Sequence, residues 1–174
     1  MNQIRYFCEG ETEQKLLRYL KDTNQKQIQS KIQSGQVKIH NLWEKKFKLI
    51  RNINKTDKLF FVVDTDRINN KSIFLENIEL LKSYKVCLIV QNKNLEDELC
   101  FACGKVKKPF LFESFYNVQS KKEFKSRFNQ DNNLQHTLSK NNFDFSKLWE
   151  RNKNFSEFLD RNFIKVDINC KYRT

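Results

Sequence analysis

Two aspartates one residue apart, Asp64 and Asp66, close the short apolar run at residues 58–63. Acids so near each other repel unless a cation or an array of donors holds them, and hard divalent cations prefer oxygen ligands. The pair therefore points to a magnesium-type site; the competing reading is a strand that ends in a turn, where aspartate is common. Two more acidic groups follow apolar runs in the same way. Glu9, Glu11 and Glu13 come directly after residues 4–8, and Glu96, Asp97 and Glu98 come soon after residues 85–91. Acids in the first turn of a helix are favoured by its dipole, by roughly 0.3–1 kcal/mol each. That accounts for Glu11 and Glu13 and less well for Glu9. Three acidic turns that a parallel sheet gathers at one edge point instead to a metal cage.

The elements that must position these acids can be read from the apolar pattern. The runs at 58–63 and 85–91 are apolar almost throughout, and strands buried on both faces are characteristic of parallel sheets in α/β proteins. Residues 4–8 and the alternating segment 37–42 add two strands. Leu16, Leu17 and Leu20, after a Thr12 cap, have helical spacing, as do Phe74, Ile78 and Leu81. Trp43, Phe47 and Ile50 trace another helical stripe, with Lys45, Lys46 and Lys48 as its solvated face. Strand and helix thus alternate, which calls for an α/β fold with a mostly parallel sheet of about four strands flanked by helices. Ligands of such sheets sit at the carboxyl ends of the strands, where each acidic turn falls. The polar residues 23–35 carry no motif, and His40 reads as a strand histidine rather than a ligand.

Composition bounds the class. A chain of 174 residues with 39% hydrophobic content and 16 Phe can form one domain with a real core. Only 3 Gly and 1 Pro are present, which argues against a turn-rich β-sandwich. The formal net charge of +12 favours phosphate polyanions as partners. Abundant Lys, Asn, Ile and Phe throughout the chain temper that signal, since an AT-rich coding sequence gives the same bias. Five cysteines without a secreted-scaffold spacing fit a reducing cytoplasm. No run approaches the ~18 apolar residues that span a bilayer, so a soluble, cytoplasmic protein is expected. Cys100 and Cys103 have CxxC spacing without a second pair and read as structural thiols. Gly104-Lys105 lacks the first glycine and the hydroxyl of a phosphate loop, so this chain is not expected to be an ATPase.

From Lys105 onward the character changes. Lys105, Lys107, Lys108, Lys121, Lys122, Lys125 and Arg127 are interleaved with Phe110, Phe112, Phe115, Tyr116, Phe124 and Phe128. The pattern describes amphipathic helices with a Phe core face; it also describes a nucleic-acid surface of cations and stacking rings. Phe145, Leu148, Trp149, Phe155 and Leu159 indicate one or two more helices, and residues 164–168 a last edge strand. The chain divides into a core at 1–104 and a basic, aromatic-rich helical extension at 105–174 packed on it as one compact domain.

Three segments together resemble the Toprim domains of the OLD-nuclease and RloB-like groups. Phe7-Cys8-Glu9-Gly10-Glu11-Thr12-Glu13 looks like their EGxTE signature, and Phe61-Val62-Val63-Asp64-Thr65-Asp66 looks like the DxD motif. Gln91-Asn92-Lys93-Asn94-Leu95-Glu96 resembles their later NPxFE segment, with Lys93 in place of the usual Pro. Order and spacing match over residues 4–103. The resemblance implies a Rossmann-like Toprim core whose acids bind magnesium or manganese, as two ions, for phosphoryl chemistry. It assigns Glu9, Asp64, Asp66 and Glu96 to catalysis and Glu9, Glu13, Asp64, Asp66 and Glu96 to the metal. A late lysine often steadies the transition state in such proteins; Lys140 is the candidate, without a firm motif. The implied function is a metal-dependent nuclease acting on DNA or RNA, tRNA included, as an effector of bacterial antiphage defence. A separate ABC-type ATPase is the implied partner; a homodimer is a candidate assembly that the sequence leaves open. The alternatives are a non-catalytic nucleic-acid-binding or regulatory module and a toxin subunit held silent by a partner.

Overall fold

In a computed structural model, residues 3–23, 35–47, 53–68 and 71–168 are described. Among them, five strands form a sheet in which every neighbouring pair is parallel, in the order β2-β1-β3-β4-β5. The strands are β1 (Ile4–Cys8), β2 (Gln36–Ile39), β3 (Lys58–Asp64), β4 (Lys85–Gln91) and β5 (Asp167–Ile168). The α/β class with a parallel sheet flanked by helices is as expected, and the expected last edge strand supplies the fifth member as a two-residue β5. β1 turns outward to β2, whereas β3 leads on to β4 and β5 on the other side. Strand order therefore reverses between β1 and β3, and a crevice at such a reversal is where open α/β sheets bind ligands.

Side chains alternate across the strands, so the sheet has two buried faces. On one face Tyr6, Cys8, Phe60, Val62, Cys87 and Ile89 pack with α1 (Glu11–Asp22) and with α3 (Leu95–Ala102), α4 (Lys108–Tyr116), α5 (Lys121–Gln130) and α6 (Leu134–Lys140). On the other, Phe7, Leu59, Phe61, Val63, Leu88 and Val90 pack with α2 (Lys71–Leu81) and α7 (Lys153–Arg161). Most of the late aromatics thus serve the core: Phe112, Phe115, Phe124 and Phe128 are all buried. A fully buried ion pair, Arg5 Nε to Asp57 Oδ2 at 3.0 Å, lies at the opposite end of the sheet from the acidic turns.

The helix expected from Trp43 does not form over residues 42–47, where the chain makes turns. Asn41 accepts from the Trp43 amide at 2.8 Å, and buried Asn77 on α2 accepts from the Phe47 amide and donates to the Leu42 and Lys45 carbonyls. These side chains satisfy backbone groups that a helix would otherwise pair internally. Trp43 and Phe47 share the same cluster, which reproduces helical spacing without a helix. Lys48, Ile50 and most of the polar stretch 23–35 lie outside the described residues. At Gly35, which leads into β2, an added Cβ would sit 2.5 Å from the Ile4 carbonyl oxygen, so only glycine fits.

Cys8, Cys100 and Cys103 are free and buried, and burial pushes their thiols up to about 12, 11 and 12. Such thiols are poor nucleophiles, in keeping with a structural CxxC. No helix among the described residues is long and apolar enough to cross a membrane.

Candidate metal centre

β1 and β3 are neighbours, so the turns that follow them meet. Glu9, the first residue after β1, accepts from the Asp64 backbone amide at 2.9 Å through Oε1 and from Asn41 Nδ2 at 3.0 Å through Oε2. Asn41 is fixed in turn by the Trp43 amide, so one buried asparagine both shapes its own turn and steers Glu9. Glu13 lies in the first turn of α1 and is buried, within electrostatic reach of Glu96, Lys121 and Lys125. A Cβ on Gly10 would come within 3.0 Å of the Glu13 carboxylate, so the glycine leaves that side chain room to turn in.

Asp64 ends β3 on the face that carries Phe60 and Val62, and its Oδ1 is buried without a hydrogen bond. Its register partner Gln91 likewise buries an unbonded Oε1. Burial, then the charges of Glu9, Glu13, Asp66 and Glu96, push the Asp64 carboxyl up to about 9. Burial also pushes Glu9 up to about 7 against the opposing Asp64 amide, and it raises Glu13, to which Glu96 adds. The structure thus brings all five expected acids to one end of the sheet, close enough that each is felt at Asp64.

Asp66 is held from the β4 side. The Lys93 carbonyl accepts from the amides of Thr65 at 2.9 Å and Asp66 at 3.1 Å, while the Lys93 amide donates to Thr65 Oγ1 at 2.7 Å. Asn94 Nδ2 donates to Asp66 Oδ2 at 3.0 Å, and Asn94 Oδ1 caps α3 by accepting from the Asp97 amide. Two acidic turns are latched together by four hydrogen bonds. Lys93 has φ 66°, a conformation closed to proline, so the turn differs in backbone from the proline-bearing motif that it resembles.

The acidic run after β4 splits three ways, because successive residues on a helix point about 100° apart. Glu96 faces the crevice, fully buried, with Lys121 Nζ and Lys125 Nζ of α5 at 3.3 and 3.4 Å from its oxygens. Asp97 lies at the rim, paired with Lys108 at 2.7 Å. Glu98 is structural: it accepts from the amides of Asn92 and Trp149 and from Arg151, tying the chain near Trp149 to the end of β4. Lys140 is exposed at the end of α6. The lysines that meet the acids are Lys121 and Lys125, neither of which sequence reasoning singled out for this role. Burial would lower the Lys125 pKa, but the charges of Glu96 and Glu13 raise it.

The donor set suits a hard divalent cation: carboxylate oxygens from three turns, with a buried orphan at Asp64. Among the described residues no three acids, histidines or cysteines form a preassembled metal cage. Glu9, Asp64 and Asp66 are the side chains that could hold an ion, and Glu96 lies beside Lys121 and Lys125. In comparisons with known proteins, no family model matches the chain, and no curated protein or solved structure matches it.

Proposed function

We propose that this chain is a Toprim-like, magnesium- or manganese-dependent nuclease that hydrolyses phosphodiester bonds in DNA or RNA. The observation that carries the reading is the buried Asp64 Oδ1 without a partner, amid four more carboxylates at the strand-order reversal. Acids that raise one another's pKa in a crevice mark a site that a cation or substrate completes. Glu9, Asp64 and Asp66 would hold one or two such ions, which would supply Lewis acidity toward a phosphoryl oxygen and a nucleophile at neutral pH. The chain's own residues do the rest. Glu9 and Asn41 fix the β1 turn, the Lys93 latch fixes Asp66, and Gly10 admits Glu13 to the crevice. Lys121 and Lys125 bring positive charge to the rim, where the developing negative charge of a phosphoryl transition state gains most from it. They are better placed than Lys140 for the role that the resemblance gives to a late lysine. In the reaction, water adds to phosphorus and the P–O bond to the leaving nucleoside oxygen breaks. The resemblance extends the proposal to a cytoplasmic effector of antiphage defence working beside a separate ABC-type ATPase.

The test is incubation of purified protein with magnesium or manganese and plasmid, single-stranded DNA or total tRNA. Shortening of one polymer by wild type, absent in folded Asp64→Ala and Glu9→Ala, is expected. Cleavage by a folded Glu9→Ala protein would sink the proposal. Tight, salt-sensitive binding without any metal-dependent product would favour the non-catalytic module.

A further inference from the structure

On α3, residues 95, 96, 98, 99, 100 and 102 are buried, which leaves Asp97 and Phe101 as its outward stripe, four residues and about 6 Å apart along the axis. Phe101 is 39% exposed, yet its ring is held in place. The Arg151 guanidinium lies 4.2 Å from the ring centroid and is itself fixed by the Asp97 carbonyl and Glu98. Lys108 at the start of α4 pairs with Asp97 and neutralises it, so the N-terminal end of α4 lies beside this stripe. That end and the short link before it expose Phe110 at 54% and Val106 at 85%, between Lys105 and Lys107. A lone exposed apolar side chain needs no explanation. Here three fall within ten residues among four cations, while the neighbouring Phe112, Phe115 and Phe124 are buried.

We infer that this ridge between α3 and α4 is a stacking track for single-stranded nucleic acid, with Phe101 and Phe110 taking bases and Lys105 and Lys107 the backbone. Bases of a single strand present their faces to aromatic rings, whereas those of a duplex are already stacked. An aromatic ring already pinned by Arg151 loses little freedom when a base settles on it. The positive charge selects a polyanion over an apolar protein surface. Under the nuclease reading the substrate is single-stranded or frayed.

The test is fluorescence anisotropy in EDTA, where no cleavage intervenes, with the full chain, a single-stranded 12-mer of DNA or RNA and a duplex of the same length. The single strand should bind at least about fivefold tighter than the duplex. Phe101→Ala and Phe110→Ala should each weaken it about fivefold or more without changing the circular dichroism. Lys107→Glu should weaken all sequences alike and flatten the salt dependence by about one ion. Equal affinity for duplex, or unchanged affinity in both Phe variants, overturns the track. So does a wild-type dimer that the same variants dissolve while oligonucleotide binding stays intact. Phe-dependent binding without any metal-dependent product would keep the track and remove the nuclease; cleavage indifferent to both Phe residues would do the reverse.

Discussion

The two ends of the sheet hold their charge in opposite ways. At the amino end, Asp57 is fully buried and accepts from the amides of Gln3 and Asn54 and from Arg5 Nε, while Arg5 reaches Gln3 and Gln36 with its other nitrogens. The Gln3 amide above all, with Arg5, holds the Asp57 carboxyl below its usual range. At the carboxyl end, Glu9 and Asp64 are pushed well above theirs, and Asp64 Oδ1 has no hydrogen bond. Both ends lose hydration; Asp57 recovers it within the chain, whereas Asp64 Oδ1 does not. The buried charge at the amino end has its bonds made within the chain, and the unbonded Asp64 oxygen is the exception at the other end.

Substitutions at the two ends should therefore have opposite signs. Asp57→Ala strands Arg5 without its counterion and should cost about 3–5 kcal/mol in urea unfolding. Asp64→Asn in metal-free buffer at pH 8 should raise stability by at least ~1.4 kcal/mol, the worth of one pKa unit, and should abolish any stabilisation by magnesium. If both variants destabilise alike, the contrast is broken.

The pH dependence sharpens the same contrast. Groups whose pKa rises on folding add stability at low pH and lose it as pH climbs through the folded value. Glu9 and Asp64 therefore make the metal-free protein less stable from pH 5 towards pH 9. Asp57 acts in reverse, its contribution being present above about pH 4 and lost below it. Melting curves should peak at mildly acidic pH, and magnesium should flatten the alkaline fall. A flat profile from pH 5 to 9 without metal would show that the acids are not coupled as described.

The smallest effect belongs to the latch. Lys93→Gly relieves a left-handed residue and should gain about 1 kcal/mol, whereas Lys93→Pro removes the amide bound to Thr65 and cannot adopt φ 66°. Equal melting temperatures for the two variants would show that the latch does not constrain the turn.

Much of this was legible in the chain. Apolar runs ending on acids gave away β1, β3 and β4 and the end at which Glu9, Asp64 and Glu96 meet, since a parallel sheet aligns strand ends whatever the loops do. What stayed hidden depends on contacts distant in sequence. Glu96, Asp97 and Glu98 are consecutive acids, and only the seat of α3 separates a site residue from a rim residue and a staple. Lys121 and Lys125 read from sequence as part of an amphipathic helix with a Phe core face or of a nucleic-acid surface; only the seat of α5 brings them to Glu96. The turns at 42–47 could not be foreseen because Asn77, some thirty residues on, supplies the bonds that a helix would have made.

Because the Lys93 carbonyl is shared by the amides of Thr65 and Asp66, those two protons are protected by one oxygen. They cannot open independently through that contact. In native-state hydrogen exchange both would report a single event, the parting of the β3 turn from the β4 turn. The rate of that event measures how often the acidic crevice comes apart.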